Sequence, residues 1–472
     1  MPFEQLLDEA AVARIYRDAL RTLEETGVQC DHRRTIDLLL QKSRATVRAG
    51  RILIPARDLD SHFQARRKEI ARGMERQEEE PESGEFRLGG SWNCLEYCDP
   101  QTNMPRPATL AESIKMAKLA EALGARGGTI PVSPGDADPR LKTLLSEKIA
   151  LLHTRTLGGW LTANDREEIA VLSAMHEAAG RRYTLGLEGL ISPLKLNAEV
   201  MDTWFDWRDS SALDIGIMGG IPVAGTTAPL LFPANLVLSL AEALALGWIM
   251  HTLSDGRHTV FNVRLDLFDM RGSNLLLGSA EWCIVSRCIR ELIEGLFGLA
   301  GRGGAFRTNG KRVDAQTVME RTASFLWQAM LGARVFGAVG QLCIDEVYSP
   351  VQAVLDREIA RYGERLVGGI PGSCWQPGVD PVALIREGVM ENGFLTHEST
   401  SRLYRDFYDL SRLASAENLN TWRKSGAVSL EERAWEEAQA LIARHDFELE
   451  GSARRDVERL YERGAALAAH AN

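Results

Sequence analysis

The chain predicts an α/β protein, a (β/α)8 barrel with helical N-terminal and C-terminal extensions. Three observations carry that class. From Phe86 to about Gly369, short apolar runs alternate with helix-length stretches, the pattern of parallel strands with helices outside. At least six such units follow one another, and no GxGxxG opens the series after its first strand, which favours a barrel over a doubly wound nucleotide-binding sheet. Across 472 residues, 45% are hydrophobic and 25% charged, the composition of a globular chain long enough for a large core.

Residues 1–85 read as a helical extension and linker. Leu6, Leu7, Ala10, Ala13 and Ile15 recur at mixed three and four spacing, and Gly27 stops that helical stretch. Arg51-Ile-Leu-Ile is a short strand ended by Pro55. Glu75 to Glu85 is charged and carries Pro81 and Gly84, so it reads as a solvated linker. The barrel is assigned to 86–380. Its candidate strands are Gly128–Val132, Tyr183–Leu190, Leu213–Met218, Thr259–Val263, Gly295–Leu299 and Val335–Gly340. Helices are expected at Pro139–Leu152, Asp165–Ala179, Asn197–Trp207, Ala234–Leu253, Ala280–Ile293 and Asp314–Leu331. Residues 381–472 form a charged helical segment packed on the barrel, with a stop at Gly426 and a capping-like restart at Ser429-Leu-Glu-Glu.

Several function classes are set aside by composition. Lys plus Arg number 55 against 65 Asp plus Glu, a net charge of −10, whereas nucleic-acid binding relies on clustered basic charge. Seven scattered cysteines are unlike a disulfide scaffold. The N-terminus has no apolar signal core, and the apolar stretch Ile217 to Met250 is broken by four glycines and three prolines. A cytoplasmic protein without a membrane segment is expected. Cys94-x3-Cys98 lacks a second metal-ligating pair; on a strand Trp92–Cys98 the two thiols would share one buried face. No metal is expected, and neither Gly124-Ala-Arg-Gly-Gly nor Gly298-Leu-Ala-Gly-Arg-Gly-Gly continues into a nucleotide motif.

Barrel sites are built at the C-terminal ends of the strands. That rule singles out Tyr97, Glu188, Met218, Asn262, Arg264, Asp266, Phe306, Gln341, Asp345 and Tyr348 as substrate-binding candidates. Carboxylates beside aromatic faces suit a methylated ammonium, which has no N–H to donate and is held through cation–π contact. No catalytic residue is assigned.

Longer strings resemble the trimethylamine methyltransferase family of corrinoid-dependent barrel enzymes. They include Asp99-Pro-Gln-Thr-Asn-Met-Pro-Arg-Pro-Ala-Thr, Pro222-Val-Ala-Gly-Thr-Thr-Ala-Pro-Leu and Asn235-Leu-Val-Leu-Ser-Leu-Ala-Glu-Ala-Leu-Ala. Asp269-Met-Arg-Gly, Gly278-Ser-Ala-Glu, Asp314-Ala-Gln with Glu320, and Ser349-Pro-Val-Gln-Ala-Val-Leu-Asp-Arg-Glu-Ile continue the match. Leu23-Glu-Glu-Thr-Gly-Val and Thr421-Trp-Arg-Lys-Ser-Gly extend it towards both ends. The resemblance implies methyl transfer from an amine to a cobalt(I) corrinoid (cobalamin) presented by a partner protein, and self-association into a homo-oligomer.

The trimethylamine branch uses a pyrrolysine, and this chain contains only standard residues. The expected substrate is therefore a quaternary amine similar to glycine betaine, with Arg264 or Arg271 available for a substrate carboxylate. A different methyl donor such as trimethylamine, or a non-catalytic methylated-amine binder, is the alternative. Leu230-Leu-Phe-Pro-Ala-Asn departs from the family's usual stretch and reshapes the expected pocket through Phe232 and Pro233. The corrinoid-carrying Asp-x-His-x-x-Gly loop is missing, so the cofactor is expected on the partner, with no metal or nucleotide held by this chain alone.

Overall fold

The computed structural model describes residues 4–77, 86–91, 93–163, 165–258, 260–391, 393–408, 411 and 413–470. It is a mixed α/β protein whose strands form several small sheets. Three helices lead: α1 Glu9–Glu25, α2 Arg33–Lys42 and α3 Ala56–Gln77. Asp8 caps α1 by accepting from the Ala11 amide, and Val12, Ile15, Ala19 and Leu23 form its buried stripe. Residues Glu75 to Gln77 belong to α3; the remainder of the expected linker, 78–85, lies outside the described residues.

Next come α4 Leu110–Ala122, α5 Lys142–His153, α6 Arg166–Ala178, α7 Ala198–Trp207 and α8 Phe232–Leu253. They are followed by α9 Ala280–Phe297, α10 Ala315–Met330 and α11 Pro350–Gly368. The sequence places these helices well because their caps are written locally: Asp165, Asn197, Ser279, Asp314 and Ser349 each accept from a first-turn amide. By length and composition α8 could cross a membrane, but 78% of its apolar stretch is buried, and α1, α2 and α3 pack on it.

Two sets of parallel pairings are linked into a series by single backbone hydrogen bonds. Gly303–Ala305 pairs with Val335–Gly337, and that strand with Arg87–Leu88. Gly90 donates to the Arg126 carbonyl at 3.0 Å, Gly127 to Thr156 at 2.9 Å and Gly158 to Gly128 at 3.1 Å, which carries the series to Trp160–Leu161. That strand pairs with Thr184–Glu188, which pairs with Asp214–Met218. Among the described residues no ladder joins Asp214–Met218 back to Gly303–Ala305. The segment 260–265 occupies this interval, with the Asn262 carbonyl 3.9 Å from where a Gly219 Cβ would stand. Among the described residues the ladders therefore form an arc and do not close into a ring.

Three expected strands change. Gly295–Leu299 is the end of α9, closed by Gly298 at φ +77°, and the strand begins later, at Gly303. Its apolar run resembled a buried strand, but it faces α1, where Val12 packs against Gly295. Gly128–Val132 and 260–263 carry no extended ladder; the first is tied by the Cys94–Val132 bridge, and Thr259 lies outside the described residues.

Beyond the arc, Gln341–Leu342, Val347–Tyr348, Glu96–Asp99 and Met104–Arg106 form a four-stranded cap sheet. The C-terminal helices are α12 Pro381–Met390, α13 Glu398–Phe407, α14 Leu419–Lys424, α15 Leu430–Arg444 and α16 Gly451–His470. The Ser429 capping box starts α15, which packs on α11 and α4, while α16 packs on α5 and α6.

Candidate binding site at the strand ends

Strand register decides which side chains share a face. Leu185 and Leu187 are buried against the helices, so their neighbours Thr184, Gly186 and Glu188 point to the opposite, inner face. Pairing aligns Trp160 with Thr184, Gly186 with Gly216, and Glu188 with Met218. The Trp160 indole leans forward one layer and lies across both glycines. A Cβ on Gly186 would stand 2.7 Å from its Nε1, and one on Gly216 would stand 2.2 Å from its Cη2. Any larger residue at either position would expel the ring. Barrel interiors are ordinarily filled by branched aliphatic side chains. Here a half-buried indole replaces them and forms a floor beneath Glu188 and Met218.

Two arginines face the same space. Arg264 lies between Val263 and Leu265, both buried in the helix-side core, so alternation turns it inward. Phe306 stacks on Phe325 of α10 at 4.8 Å, which turns the next residue, Arg307, away from that layer. Among the described residues neither guanidinium makes a hydrogen bond or an ion pair, and the Arg307 Nε is buried without a partner. Burial pulls the Arg264 pKa down, opposed by the charges of Asp266 and Glu188. Burial pulls Arg307 down likewise; Asp266 and Asp345 oppose this and Arg264 and Arg321 add to it. Asp266 accepts from Trp282 Nε1 at 3.2 Å, which fixes its carboxylate.

Of the residues singled out by sequence, Glu188, Met218, Arg264 and Asp266 gather here, with exposed Asp345 within electrostatic reach of Arg307. The others do not join them. Phe306 points to the helix layer, as above. Asn262 is exposed in a cleft of about 290 Å³ shared with Gly303 and with Ser286, Ile289 and Gln328 from α9 and α10. Tyr97 and Tyr348 are register partners in the cap sheet, 3% and 0% exposed, and the Tyr348 hydroxyl is buried with no partner among the described residues. Gln341 is a buried residue of that same sheet, with its amide 3.5 Å from the Cys94 sulfur. Arg271 is 89% exposed and tied to Asp269 at 3.0 Å, which leaves Arg264 of the two arginines considered for a carboxylate.

Burial pushes the Cys94 thiol up to about 12 and Cys98 to about 11, so both are protonated core residues. Trp160 and Arg307 were not singled out by the sequence. Their one available signal was glycine inside candidate strands, at Gly186 and Gly216, which marks a close approach by another group.

The family description "Trimethylamine methyltransferase (MTTB)" matches residues 1–458. The chain belongs to the trimethylamine methyltransferase family. Trimethylamine methyltransferase MttB of Desulfitobacterium hafniense (strain DSM 10664 / DCB-2) is 21% identical over 446 residues, 91% of this chain and 87% of that protein. Glycine betaine methyltransferase of Desulfitobacterium hafniense (strain Y51) is also 21% identical, over 459 residues and 94% of each chain. Trimethylamine methyltransferase MttB2 of Methanosarcina mazei is 25% identical over 238 residues, 49% of this chain and 47% of its own length. The family's members thus include proteins named for a tertiary and for a quaternary amine, and this chain is similar to both kinds.

Proposed function

We propose that this family member moves a methyl group from a quaternary amine of the glycine betaine type to the cobalt(I) corrinoid of a separate protein. The observation that supports this best is the Trp160 indole, cleared of neighbours by Gly186 and Gly216 and set beneath Glu188. A quaternary ammonium offers no N–H, so an aromatic face and a nearby carboxylate are what can hold it; a cation–π contact is worth about 0.5–2 kcal/mol.

The chemistry asks little else of the chain. The carbon–nitrogen bond breaks with its electrons left on nitrogen, and the amine departs neutral without a proton donor. A cobalt(I) corrinoid on the partner would supply the electron pair for the new bond to the methyl carbon. Side chains of this protein hold the methyl group in line with its acceptor. They must not hold the cation too tightly, because its charge vanishes in the transition state. Arg264 beside Glu188 moderates that attraction.

The fold we propose behind this site is a (β/α)8 barrel in which 260–265 supplies the strand between Asp214–Met218 and Gly303–Ala305. Support comes from the parallel arc and from the placement of that segment in its gap. The corrinoid protein would dock over the strand ends, and the setting proposed is the cytoplasm. A homo-oligomer is proposed too, with Val382, Ile385 and Val389 of α12, all more than half exposed, as apolar surface available to a second copy.

The test is methyl transfer by the purified chain to cobalt(I) cobalamin, with products measured for glycine betaine, proline betaine, carnitine, choline and trimethylamine. The proposal expects demethylation of a quaternary amine, yielding dimethylglycine when the donor is glycine betaine. Turnover of trimethylamine alone would contradict it.

A further inference from the structure

We infer that Arg264 and Arg307 form an anion clamp, which selects N-methylated zwitterions carrying a carboxylate over methylated amines that carry only positive charge. The inference rests on the reading of the Trp160 pocket as a methylated-amine site and supplies the other end of its substrate.

An interior guanidinium is costly unless its donors are satisfied. The protein follows that rule where arginine is structural. Arg321 is 0% exposed and bound to Asp356, Arg287 is held by Glu291 at 2.7 Å, and Arg181 donates to the carbonyls of Thr154 and Leu157. Arg264 and Arg307 depart from it together, on one face. Val263 and Leu265 lock the first inward, and the Phe306–Phe325 stack locks the second. Neither has a partner among the described residues, and the Arg307 Nε is an unpartnered buried donor.

Acidic groups stand nearby without closing the pairs. Glu188 and Asp266 lie within electrostatic reach of Arg264, and Asp266 and Asp345 of Arg307, yet none makes an ion pair with either. Asp266 is engaged by Trp282. Two inward guanidiniums left open in this way suit the oxygens of a carboxylate, which arginine binds through parallel N–H bonds. The Trp160 indole, one layer below Glu188 and Met218, supplies the aromatic face for the cation. The site then offers a cation an aromatic face and an anion two open guanidiniums, and an amine with both charges is complementary to it.

Calorimetric titration of the full chain with glycine betaine, carnitine, choline, tetramethylammonium and propionate tests the clamp. Glycine betaine or carnitine should bind at least about tenfold more tightly than choline, the expectation for a charge-assisted bond. Arg307→Ala and Arg264→Ala should each weaken the zwitterion by about tenfold or more. Both should leave choline unchanged or tighter, because a like charge has been removed from a cation's pocket. Structural damage would weaken both ligands, so movement in opposite directions is the signature. If Arg307→Ala does not fold, Arg307→Lys keeps the charge without the planar fork and should still lose most of the preference.

Choline binding as well as glycine betaine in the wild type would overturn the clamp while the methylated-amine reading stood. Propionate binding that is lost in Arg307→Ala, with no quaternary amine bound, would keep the clamp and remove that reading. Binding of none of the five probes would overturn both.

Discussion

Arg321 and the pair Arg264/Arg307 are the same residue type at the strand ends, treated in opposite ways. Arg321 is sealed beneath the cap sheet, where its Nε meets Asp356 at 2.7 Å and its remaining donors reach Asp356 and the carbonyls of Ala338 and Gln341. Asp356 is in turn satisfied by the Gly340 amide at 2.7 Å and by Gln352 at 2.9 Å. Among the described residues Arg264 and Arg307 have no such network. The difference separates structural charge from functional charge. A guanidinium whose donors are filled from within the chain holds the fold, and one left open inside a pocket is kept for something that arrives.

The largest effect expected from this contrast is on stability. Arg321→Met leaves Asp356 as a buried unpaired charge, and should cost about 3–5 kcal/mol in denaturant unfolding. The double replacement Arg321→Met with Asp356→Leu should recover much of that loss, since it removes both charges. Arg307→Ala should cost far less stability, having no partner to strand. An equal loss for Arg307→Ala and Arg321→Met would erase the distinction.

A second effect falls on binding. Gly216→Leu places a side chain where the Trp160 ring lies, 2.2 Å from even its first carbon, and should displace the indole. Overpacking of this sort costs about 1–3 kcal/mol of stability. Quaternary amine affinity should fall by about tenfold or more, whereas the same change at Gly303, which has open space around it, should do much less.

His62 shows a third treatment of interior charge, which is to stay neutral. Burial, with His251 and Arg66 beside it, lowers its pKa from 6.5 to about 4. Between those pH values the unfolded chain binds a proton that the folded chain refuses, so this contribution to stability is complete above pH 6.5 and is lost as pH falls towards 4. Urea midpoints at pH 7 and pH 5 should differ less in His62→Leu than in the wild type. An unchanged difference would show that the acid sensitivity arises elsewhere.

Much of this architecture is legible in the sequence. Helix starts are local signals, so Asp165, Asn197, Asp314 and Ser429 could be placed by eye and each proves to be a cap. Strands Thr184–Glu188, Asp214–Met218 and Val335–Gly337 fall inside their expected runs. The Gly295–Leu299 run failed because a short apolar stretch reads alike in a buried helix and a buried strand. The site was legible only as a level in the fold. Glu188, Met218, Arg264 and Asp266 follow from the rule about strand ends, whereas Phe306 fails by one residue of alternation, a shift that turns a side chain to the opposite face. Trp160 could not be selected from its own neighbourhood, because what exposes it is the absence of side chains at Gly186 and Gly216 on two other strands.

The central claim is that Trp160 is the surface on which the substrate's cationic end rests. Titrating glycine betaine into the wild type and into Trp160→Leu tests it most directly. The account predicts a fall in affinity of roughly 3- to 30-fold in the variant, the range for loss of a cation–π contact. An affinity for glycine betaine unchanged by Trp160→Leu, in a variant whose unfolding midpoint is that of the wild type, would contradict it.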